Sequence, residues 1–318
     1  MQFQLLSYSL NHSTKEAAVM FIFFTPYTYF FMSLYFLTLS FLLSINRFLF
    51  YWLFIEVLML LFIGISYTVF LHRYSQLIVY FLFQTLASFS ILAFYLLSLK
   101  YLLLLSLFLK LGMFPFFSWY INVLYRFPSS ILFLASTFHK LPPLLILYIV
   151  CELNYIPFIV VISLVTIFVS SVYMLYITDL RYLLVVSRIG NNAFIVLATL
   201  TNNISLFTLF YRLYTVNLFL IFYRFGPIVS HNLQYHRALT SLNIFLLFLL
   251  LNLSSLPPLP TFLSKFLVIF YCMEYYSSIS YLFVLILLTN VVIVVSYISI
   301  LLKYFINIYS NSTRLLVY

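Results

Sequence analysis

Long apolar runs joined by short polar connections make up most of the sequence. Most runs approach or exceed the ~20 residues that an α-helix needs to cross the hydrocarbon core of a bilayer. The runs are continuous, whereas the strands of a membrane β-barrel alternate apolar and polar positions over about ten residues. The pattern therefore predicts an all-α polytopic membrane protein with about ten transmembrane helices, at 17–44, 48–71, 75–98, 101–122, 129–150, 155–177, 182–200, 204–223, 240–272 and 279–302.

The same pattern divides the chain into three segments. Residues 1–16 are polar enough to lie outside the membrane, residues 17–303 are predicted to form the transmembrane domain, and residues 304–318 a short C-terminal tail. The first apolar run is longer than the core of a signal peptide and lacks a small-residue cleavage site, so we expect it to be retained as a helix.

Composition supports this class and excludes others. Hydrophobic residues make up 66% of the chain and charged residues 6%, which leaves too little polar surface for a water-soluble globule. Cys151 and Cys272 each stand alone, without the spacing of a zinc, haem or iron–sulfur site. No phosphate-binding motif occurs among the four glycines. We therefore expect no cofactor or metal on this chain and no nucleic-acid partner, and we expect membrane lipids around it.

Basic residues outside the apolar runs are unevenly shared between the two sides of the membrane. If successive connections face opposite sides, only Arg47 and Lys100 fall on one side. Such a bias marks the richer side as the inner one, and it places the N-terminus and the C-terminal tail there. The richer side holds Lys15, Arg73, Arg126, Arg181, Arg224, Arg237, Lys303 and Arg314.

Charged residues inside the apolar runs are the strongest indication of function. Glu56, Lys110, Lys140 and Lys265 lie within such runs, where a charge is costly and usually marks an ion or proton path. Lys140 lies ~16 Å along a helix from either end of its run, too deep for its side chain to reach the interface easily. A lysine in such surroundings can take up and release a proton.

Two of these lysines lie next to prolines, which predicts two broken helices. Lys110 is followed five residues later by Pro115. Proline removes a backbone N–H and frees carbonyl groups, and such breaks suit ion handling. For both lysines the alternative is a side chain that extends from the end of a span to the interface. Lys265 follows a cluster of three prolines, Pro257, Pro258 and Pro260.

Other polar positions in the apolar runs either line an ion route or join helices by hydrogen bonds. Ser136 lies one helical turn before Lys140 and can solvate its amine, whereas His139 points about 100° away. Glu56 either pairs with a cation, for which Lys110 is the natural candidate, or stays neutral and joins helices. Two further polar stripes fall on the third and seventh predicted helices, at Gln84, Ser88, Ser187, Arg188 and Asn191.

Six short motifs contain most of these residues: Trp52-x-x-x-Glu56, Tyr80-Phe-x-x-Gln84-x-x-x-Ser88, Lys110-Leu-Gly-Met-x-Pro-Phe-x-x-Trp119, Lys140-x-x-Pro143, Leu180-Arg181 leading to Ser187, and Leu256-Pro-Pro-Leu-Pro-Thr-Phe-Leu-Ser-Lys265. In this order they resemble subunit 2 of mitochondrial NADH:ubiquinone oxidoreductase, respiratory complex I. The resemblance covers about residues 48–303.

The resemblance implies an antiporter-like bundle in the membrane arm of that complex, with a proton route coupled at a distance to electron transfer. NADH, FMN, iron–sulfur clusters and ubiquinone would be bound by other subunits, so the chain would belong to a proton-translocating NADH:ubiquinone reductase without redox chemistry of its own. Its partners would be other membrane-arm subunits, including antiporter-like neighbours.

By motif match, Glu56 and Lys110 would form a coupling ion pair, Lys140 the central proton carrier and Lys265 the terminal relay. Because the sequence lacks an Arg- and Ser-rich targeting peptide, the chain would be made inside the organelle. It would lie in the mitochondrial inner membrane, with the positive side facing the matrix.

The chain also departs from the family pattern. Phe117 and Tyr182 replace residues that are often histidine or basic, and Arg188 occurs where a nearby histidine is missing. The resemblance implies that, compared with bacterial relatives, about three helices are missing at the start and one after Lys303, and that these are either lost or supplied by a separate partner chain. Two alternatives stay open: a free-standing cation/proton antiporter, and a structural membrane-arm subunit whose proton path has decayed.

Overall fold

The computed structural model describes residues 26–45, 47–69, 74–150, 156–201, 203–230, 243–276 and 280–315. Within these ranges the regular structure is helical, which confirms the predicted all-α class. Seven helical segments of the described residues are long and apolar enough to cross a membrane, and one of them, Ser129–Ile149, contains a break. The predicted polar segment 1–16 and the first part of the first predicted helix, 17–25, lie outside the described residues.

Thirteen α-helices follow one another along the described residues: α1 Pro26–Ser44, α2 Phe48–Val69, α3 Tyr74–Leu97, α4 Lys100–Leu111, α5 Phe117–Leu124, α6 Ser129–Ser136, α7 Leu141–Val150, α8 Ile156–Leu175, α9 Leu180–Leu200, α10 Ile204–Ser230, α11 Asn243–Ser254, α12 Pro260–Tyr275 and α13 Ser280–Leu315. A 3₁₀-helix, Phe138–Lys140, lies between α6 and α7. Long helices suit an apolar solvent because they satisfy their backbone N–H and C=O groups internally.

Three of the predicted spans are interrupted. Span 101–122 divides into α4 and α5, and span 240–272 into α11 and α12, as the prolines predicted. Span 129–150 was predicted to be continuous, and this was wrong, since α6 ends at Ser136. Pro142 and Pro143 explain the difference: neither can donate to the carbonyl group four residues earlier, so the preceding turn cannot continue as an α-helix.

The chain forms two compact units. The first comprises the residues up to Lys110 together with Arg126–Pro142. In it, α2 lies against α1, α3 and α6. Aromatic side chains fill its core: the ring centroid of Phe62 is 5.2 Å from that of Tyr80 and 6.4 Å from that of Phe127, and all three side chains are buried.

The second unit comprises Leu111–Tyr125 and the chain from Pro143 onwards. Its central helix is α9, which contacts α5, α8, α10, α12 and α13. Every residue of α9 from Leu183 to Leu200 is buried. This position allows α9 to hold several polar residues away from lipid, where they would be costly. The last helix, α13, continues to Leu315, into the segment 304–318 that was predicted as the C-terminal tail.

Gly112 ends α4 in a left-handed conformation, with φ +67°, which side chains other than glycine rarely adopt. A Cβ atom added there would lie 2.4 Å from Cγ and 2.8 Å from Cβ of Tyr120. We expect Gly112→Ala to destabilise the protein by about 1–2 kcal/mol from the backbone conformation alone, with the clash adding to it. The measurement is the thermal midpoint of the detergent-purified protein.

Gly64→Ala is the matched control for this prediction. A Cβ atom at Gly64 would meet only the ring edge of Phe31, at 3.1 Å, and alanine is favoured over glycine inside a helix. We therefore expect the midpoint to fall in Gly112→Ala and to stay close to that of the unchanged protein in Gly64→Ala. Equal midpoints for the two variants would contradict the structure around Gly112.

Candidate ion-conducting site

Every charged side chain that is buried in the described part of the chain is basic. The exposed fraction is 6% for Lys110, 3% for Lys140, 2% for Lys265 and 1% for Arg188. Burying a charge is expensive. A lysine can relieve this cost by releasing a proton, whereas an arginine keeps its charge. The three lysines are therefore candidates for reversible protonation, and Arg188 is a fixed positive charge.

Lys110 and Glu56 lie within electrostatic range of one another in the first unit. Lys110 is in the last turn of α4, where the negative end of the helix dipole favours a cation. Glu56 is half-buried on α2, and its Oε1 atom accepts no hydrogen bond from any described residue. The arrangement fits the pairing that the sequence suggested between these two side chains.

The helix break after Lys110 is closed by a residue that the sequence analysis missed. Asn192 on α9 donates its Nδ2–H to the backbone carbonyl of Leu111, with an N–O distance of 3.2 Å. This carbonyl is one of those that the end of α4 leaves without an intrahelical partner. Pro115 lies in the connection that follows, before α5 begins. The only signal for Asn192 in the sequence is a second asparagine beside Asn191 in an apolar run.

Lys140 is the last residue of the 3₁₀-helix and lies in the first unit. Its backbone N–H bonds the carbonyl of Thr137, at 2.9 Å. Tyr51 on α2 donates its hydroxyl to the carbonyl of Pro142, at 3.0 Å, so the helix that bears Glu56 also holds the chain next to Lys140. The sequence analysis did not single out Tyr51, because nothing in the sequence pairs positions so far apart.

Ser136 is not on one continuous helical face with Lys140, as had been predicted, because α6 ends at Ser136. The Ser136 hydroxyl donates to the carbonyl of Phe133, at 3.0 Å. The Thr137 hydroxyl donates to the same carbonyl, at 2.7 Å. Both are local bonds within the last turn of α6, to a carbonyl that also accepts the backbone N–H of Thr137, at 3.0 Å.

His139 lies in the aromatic core of the first unit. Its ring centroid is 4.9 Å from that of Phe62 and 5.9 Å from that of Tyr80. Its electrostatic interaction with Lys110 shows that the charge of that lysine reaches the residue next to Lys140. The predicted second contact of His139 is thus with aromatic rings.

The polar stripe on α3 is buried. The carbonyl of Ser88 accepts a hydrogen bond from Nε1 of Trp52, at 2.9 Å, and the Ser88 hydroxyl donates to the carbonyl of Thr85, at 2.8 Å. Trp52 is one turn before Glu56 on α2. The Nε2 group of Gln84 has no hydrogen-bond partner among the described residues. An unpaired buried donor is costly, which makes Gln84 the one unsatisfied member of this stripe.

Lys265 lies on α12 in the second unit, just after the second predicted break. Pro257 and Pro258 are in the connection between α11 and α12, and Pro260 is the first residue of α12. The Nζ atom of Lys265 is 4.8 Å from the ring centroid of Phe194 on α9. A cation over an aromatic face is stabilised by the ring quadrupole, and more strongly where water is excluded.

Arg188 is held among aromatic side chains in the same unit. Its guanidinium carbon is 4.6 Å from the ring centroid of Phe222 on α10. The side chains of Tyr120, Tyr214 and Tyr297 lie within its electrostatic range. Ser187 and Asn191 are buried on the same helix, and the Ser187 hydroxyl donates to the carbonyl of Leu184, at 3.0 Å. The polar stripe predicted on this helix therefore lies inside the protein.

The described residues contain one of the two cysteines. Cys272 is buried as a free thiol, and Cys151 lies outside the described residues. Within the described ranges, no group of three His, Cys, Asp or Glu side chains is close enough to hold a metal ion.

Broken helices with buried lysines inside a polytopic helical bundle define an antiporter-like membrane protein. The chain belongs to the family described as "NADH:quinone oxidoreductase/Mrp antiporter, TM", which its sequence matches over residues 48–294. A comparison with curated proteins gives no significant match.

Three solved structures contain a chain with a similar fold. For respiratory complex I from Thermus thermophilus with bound Aureothin, the TM-score is 0.75 and the identity 20%, over 87% of this chain and 70% of the other. For the same complex with bound NADH, the TM-score is 0.64 and the identity 17%, over 80% of this chain and 64% of the other. For an archaeal membrane-bound sulfane sulfur reductase, the TM-score is 0.62 and the identity 17%, over 79% of this chain and 61% of the other. The chain thus spans less than two thirds of the last two relatives, and identities this low establish the fold alone.

The position of His139 gives a prediction about stability. Because its ring lies against Phe62 and Tyr80, we expect His139→Phe to keep the thermal midpoint of the purified protein close to that of the unchanged protein. His139→Ala leaves a cavity and should cost about 3 kcal/mol. A similar loss in both variants would show that the polar atoms of the imidazole, and not its packing, stabilise the site.

Proposed function

We propose that the chain is a proton-translocating subunit in the membrane arm of a complex I-type NADH:ubiquinone oxidoreductase. The observation that carries this proposal is that each buried lysine lies at a helix break: Lys110 before the first, Lys140 within the second and Lys265 after the third. Membership in the NADH:quinone oxidoreductase/Mrp antiporter family supports the proposal. Electron transfer takes place on other subunits, which bind NADH, FMN, iron–sulfur clusters and ubiquinone.

Glu56 and Lys110 are the proposed coupling pair. The interaction energy of two unit charges 10 Å apart is about 1–2 kcal/mol at an effective dielectric constant of ~20. Movement of Lys110 towards or away from Glu56 therefore changes the electrostatic potential along the route by an amount that affects proton binding. The interactions of Lys110 with Glu56 and with His139 support this role, because they connect the pair to the residue beside Lys140.

Lys140 is the proposed central proton carrier. The 3₁₀-helix and the hydrogen bond from Tyr51 to the Pro142 carbonyl hold the backbone around it, so the Lys140 amine can gain a proton, and the ammonium lose it, without loss of the surrounding structure. When Lys110 leaves Glu56, its uncompensated positive charge disfavours a second charge at Lys140 and favours proton release. Return of Lys110 to Glu56 allows Lys140 to load again.

Lys265 is the proposed terminal relay. The ring of Phe194 stabilises the charged ammonium of Lys265 by a cation–π interaction. Because this interaction is weaker than an ion pair with a carboxylate, the lysine can still release its proton. Arg188, Ser187 and Asn191 form a polar axis on α9, in which the guanidinium group of Arg188 carries a permanent positive charge. In the proposed route this axis serves where the family resemblance led us to expect a histidine.

The motif order supports subunit 2 of the mitochondrial enzyme as the particular member of the family. In that assignment the chain lies in the mitochondrial inner membrane with both termini in the matrix, as the distribution of basic residues predicts. Its partners are other membrane-arm subunits, including antiporter-like neighbours. The multi-subunit respiratory complexes among the similar structures support such partners.

A free-standing cation/proton antiporter is the second candidate, because the family also includes Mrp antiporters. The same buried lysines would serve exchange of a cation for protons. A structural subunit with a decayed path is less well supported, since selection for helix packing alone gives no reason to keep lysines in apolar spans.

The first test is whether the chain is part of an active respiratory complex. We expect mild detergent extraction of native membranes, followed by a native gel stained for NADH dehydrogenase activity, to place this chain in a large active band when that band is analysed by mass spectrometry. The chain in a small oligomer apart from that activity, with ion exchange by the purified chain alone in liposomes, would contradict the proposal and support the antiporter.

A further inference from the structure

The connection between α11 and α12 leaves backbone groups of both helices without intrahelical partners. α11 ends at Ser254 and α12 begins at Pro260. Ser255 adopts a left-handed conformation, with φ 62°, which turns the chain sharply out of α11. Local turns satisfy part of the connection, as in the bond from the N–H of Leu259 to the carbonyl of Leu256, at 2.8 Å. The carbonyl of Asn252 accepts the N–H of Ser255, at 3.1 Å, and keeps a second acceptor position. The N–H of Thr261, the first that α12 offers after Pro260, still needs a partner.

Two side chains supply these partners reciprocally across the break. The amide Oδ1 of Asn252 on α11 accepts from the backbone N–H of Thr261 on α12, at 3.4 Å. The hydroxyl of Thr261 is 2.9 Å from the same Oδ1 and is also in hydrogen-bonding contact with the backbone carbonyl of Asn252. Each half of the broken helix thus caps the other.

A third residue anchors this pair to a neighbouring helix. Asn252 donates its Nδ2–H to Oδ1 of Asn217 on α10, at 2.8 Å. Asn217, Asn252 and Thr261 are all buried. We call these three residues the Asn–Asn–Thr clamp. The Nδ2 group of Asn217 has no hydrogen-bond partner among the described residues, but the bonds that link the three side chains form one connected buried network, which positions its members jointly.

The clamp lies one helical turn from Lys265. Thr261 and Lys265 are four residues apart on α12 and so lie on one face. The other end of α12 is held to α9, because the hydroxyl of Tyr276 donates to the carbonyl of Leu200, at 2.9 Å. Between these two attachments the ammonium group of Lys265 lies over the ring of Phe194.

We infer that the Asn–Asn–Thr clamp is a positioning device that fixes the register of α12 and thereby holds the Lys265 ammonium on Phe194. The inference rests on the proposed function, in which Lys265 relays a proton. Without the clamp, α11 and α12 lose the side-chain bonds that cap their facing ends. The helix α12 can then shift along its axis, and the Lys265 ammonium moves off the ring of Phe194. A shift of about 1 Å is enough to cost a large factor in a transfer step that depends on position.

The test uses the assembled complex in membrane vesicles and measures the initial rate of proton uptake divided by the rate of NADH oxidation, as a function of pH. Thr261→Val removes the hydroxyl at nearly constant volume, and Thr261→Ser restores it. Thr289→Val is the matched control, because Thr289 is also a buried threonine but donates only within its own helix, to the carbonyl of Ile286. Lys265→Met reports the role of the relay itself.

We expect Thr261→Val to lose proton uptake per NADH to the same extent as Lys265→Met, and its pH profile to shift. Thr261→Ser and Thr289→Val should keep both the ratio and the profile. A merely structural role would reduce the amount of complex in the vesicles but leave the ratio unchanged. If Thr261→Val does not assemble, Asn217→Ala decides, because it removes the anchor and leaves the two caps: a lower ratio supports the inference and an unchanged ratio overturns it.

Two outcomes separate this inference from the proposed function. Loss of the ratio in Lys265→Met together with an unchanged ratio in Thr261→Val would overturn the clamp and leave the relay in place. An unchanged ratio in Lys265→Met would remove Lys265 from the proton route, and with it the role inferred for the clamp.

Discussion

The structure depends on how backbone groups freed at helix breaks find partners in apolar surroundings. Lipid offers no hydrogen bonds, so a broken helix persists only where neighbouring side chains replace the missing intrahelical bonds. Asn192 does this for the carbonyl of Leu111, and Asn252 with Thr261 for the break before α12. At the remaining break, Tyr51 holds the start of α7 through the carbonyl of Pro142. The breaks are therefore built features of the bundle.

Each of these breaks lies beside a buried lysine, and this coincidence connects fold to function. A lysine enclosed by regular helices would have only carbon around its ammonium group, at a prohibitive cost. Beside a break, Lys110 has the C-terminal end of α4 and the charge of Glu56 within range, and Lys265 has the ring of Phe194; each stabilises the charge only in part. Such intermediate stabilisation suits a group that must bind and release a proton in turn, and Arg188 marks a position where the charge is permanent.

Much of the fold could be predicted from the sequence because hydrophobic runs and prolines act locally. The lengths of the apolar runs gave the helices, and the prolines around Pro115 and Pro260 gave two of the breaks. The third break was missed, although Pro142 and Pro143 contain the reason for it. The partners of the breaks, such as Asn192 and Asn252, could not be predicted, since they bond residues on other helices and a single asparagine carries no spacing pattern.

Protons cross the membrane in this account by reversible protonation of Lys140. The most direct measurement is the number of protons taken up per NADH oxidised by vesicles that contain fully assembled complex. The account predicts a large loss both in Lys140→Met, which cannot carry a proton, and in Lys140→Arg, which keeps the charge but cannot release one. An unchanged proton yield in either variant, with normal assembly on a native gel, would contradict it.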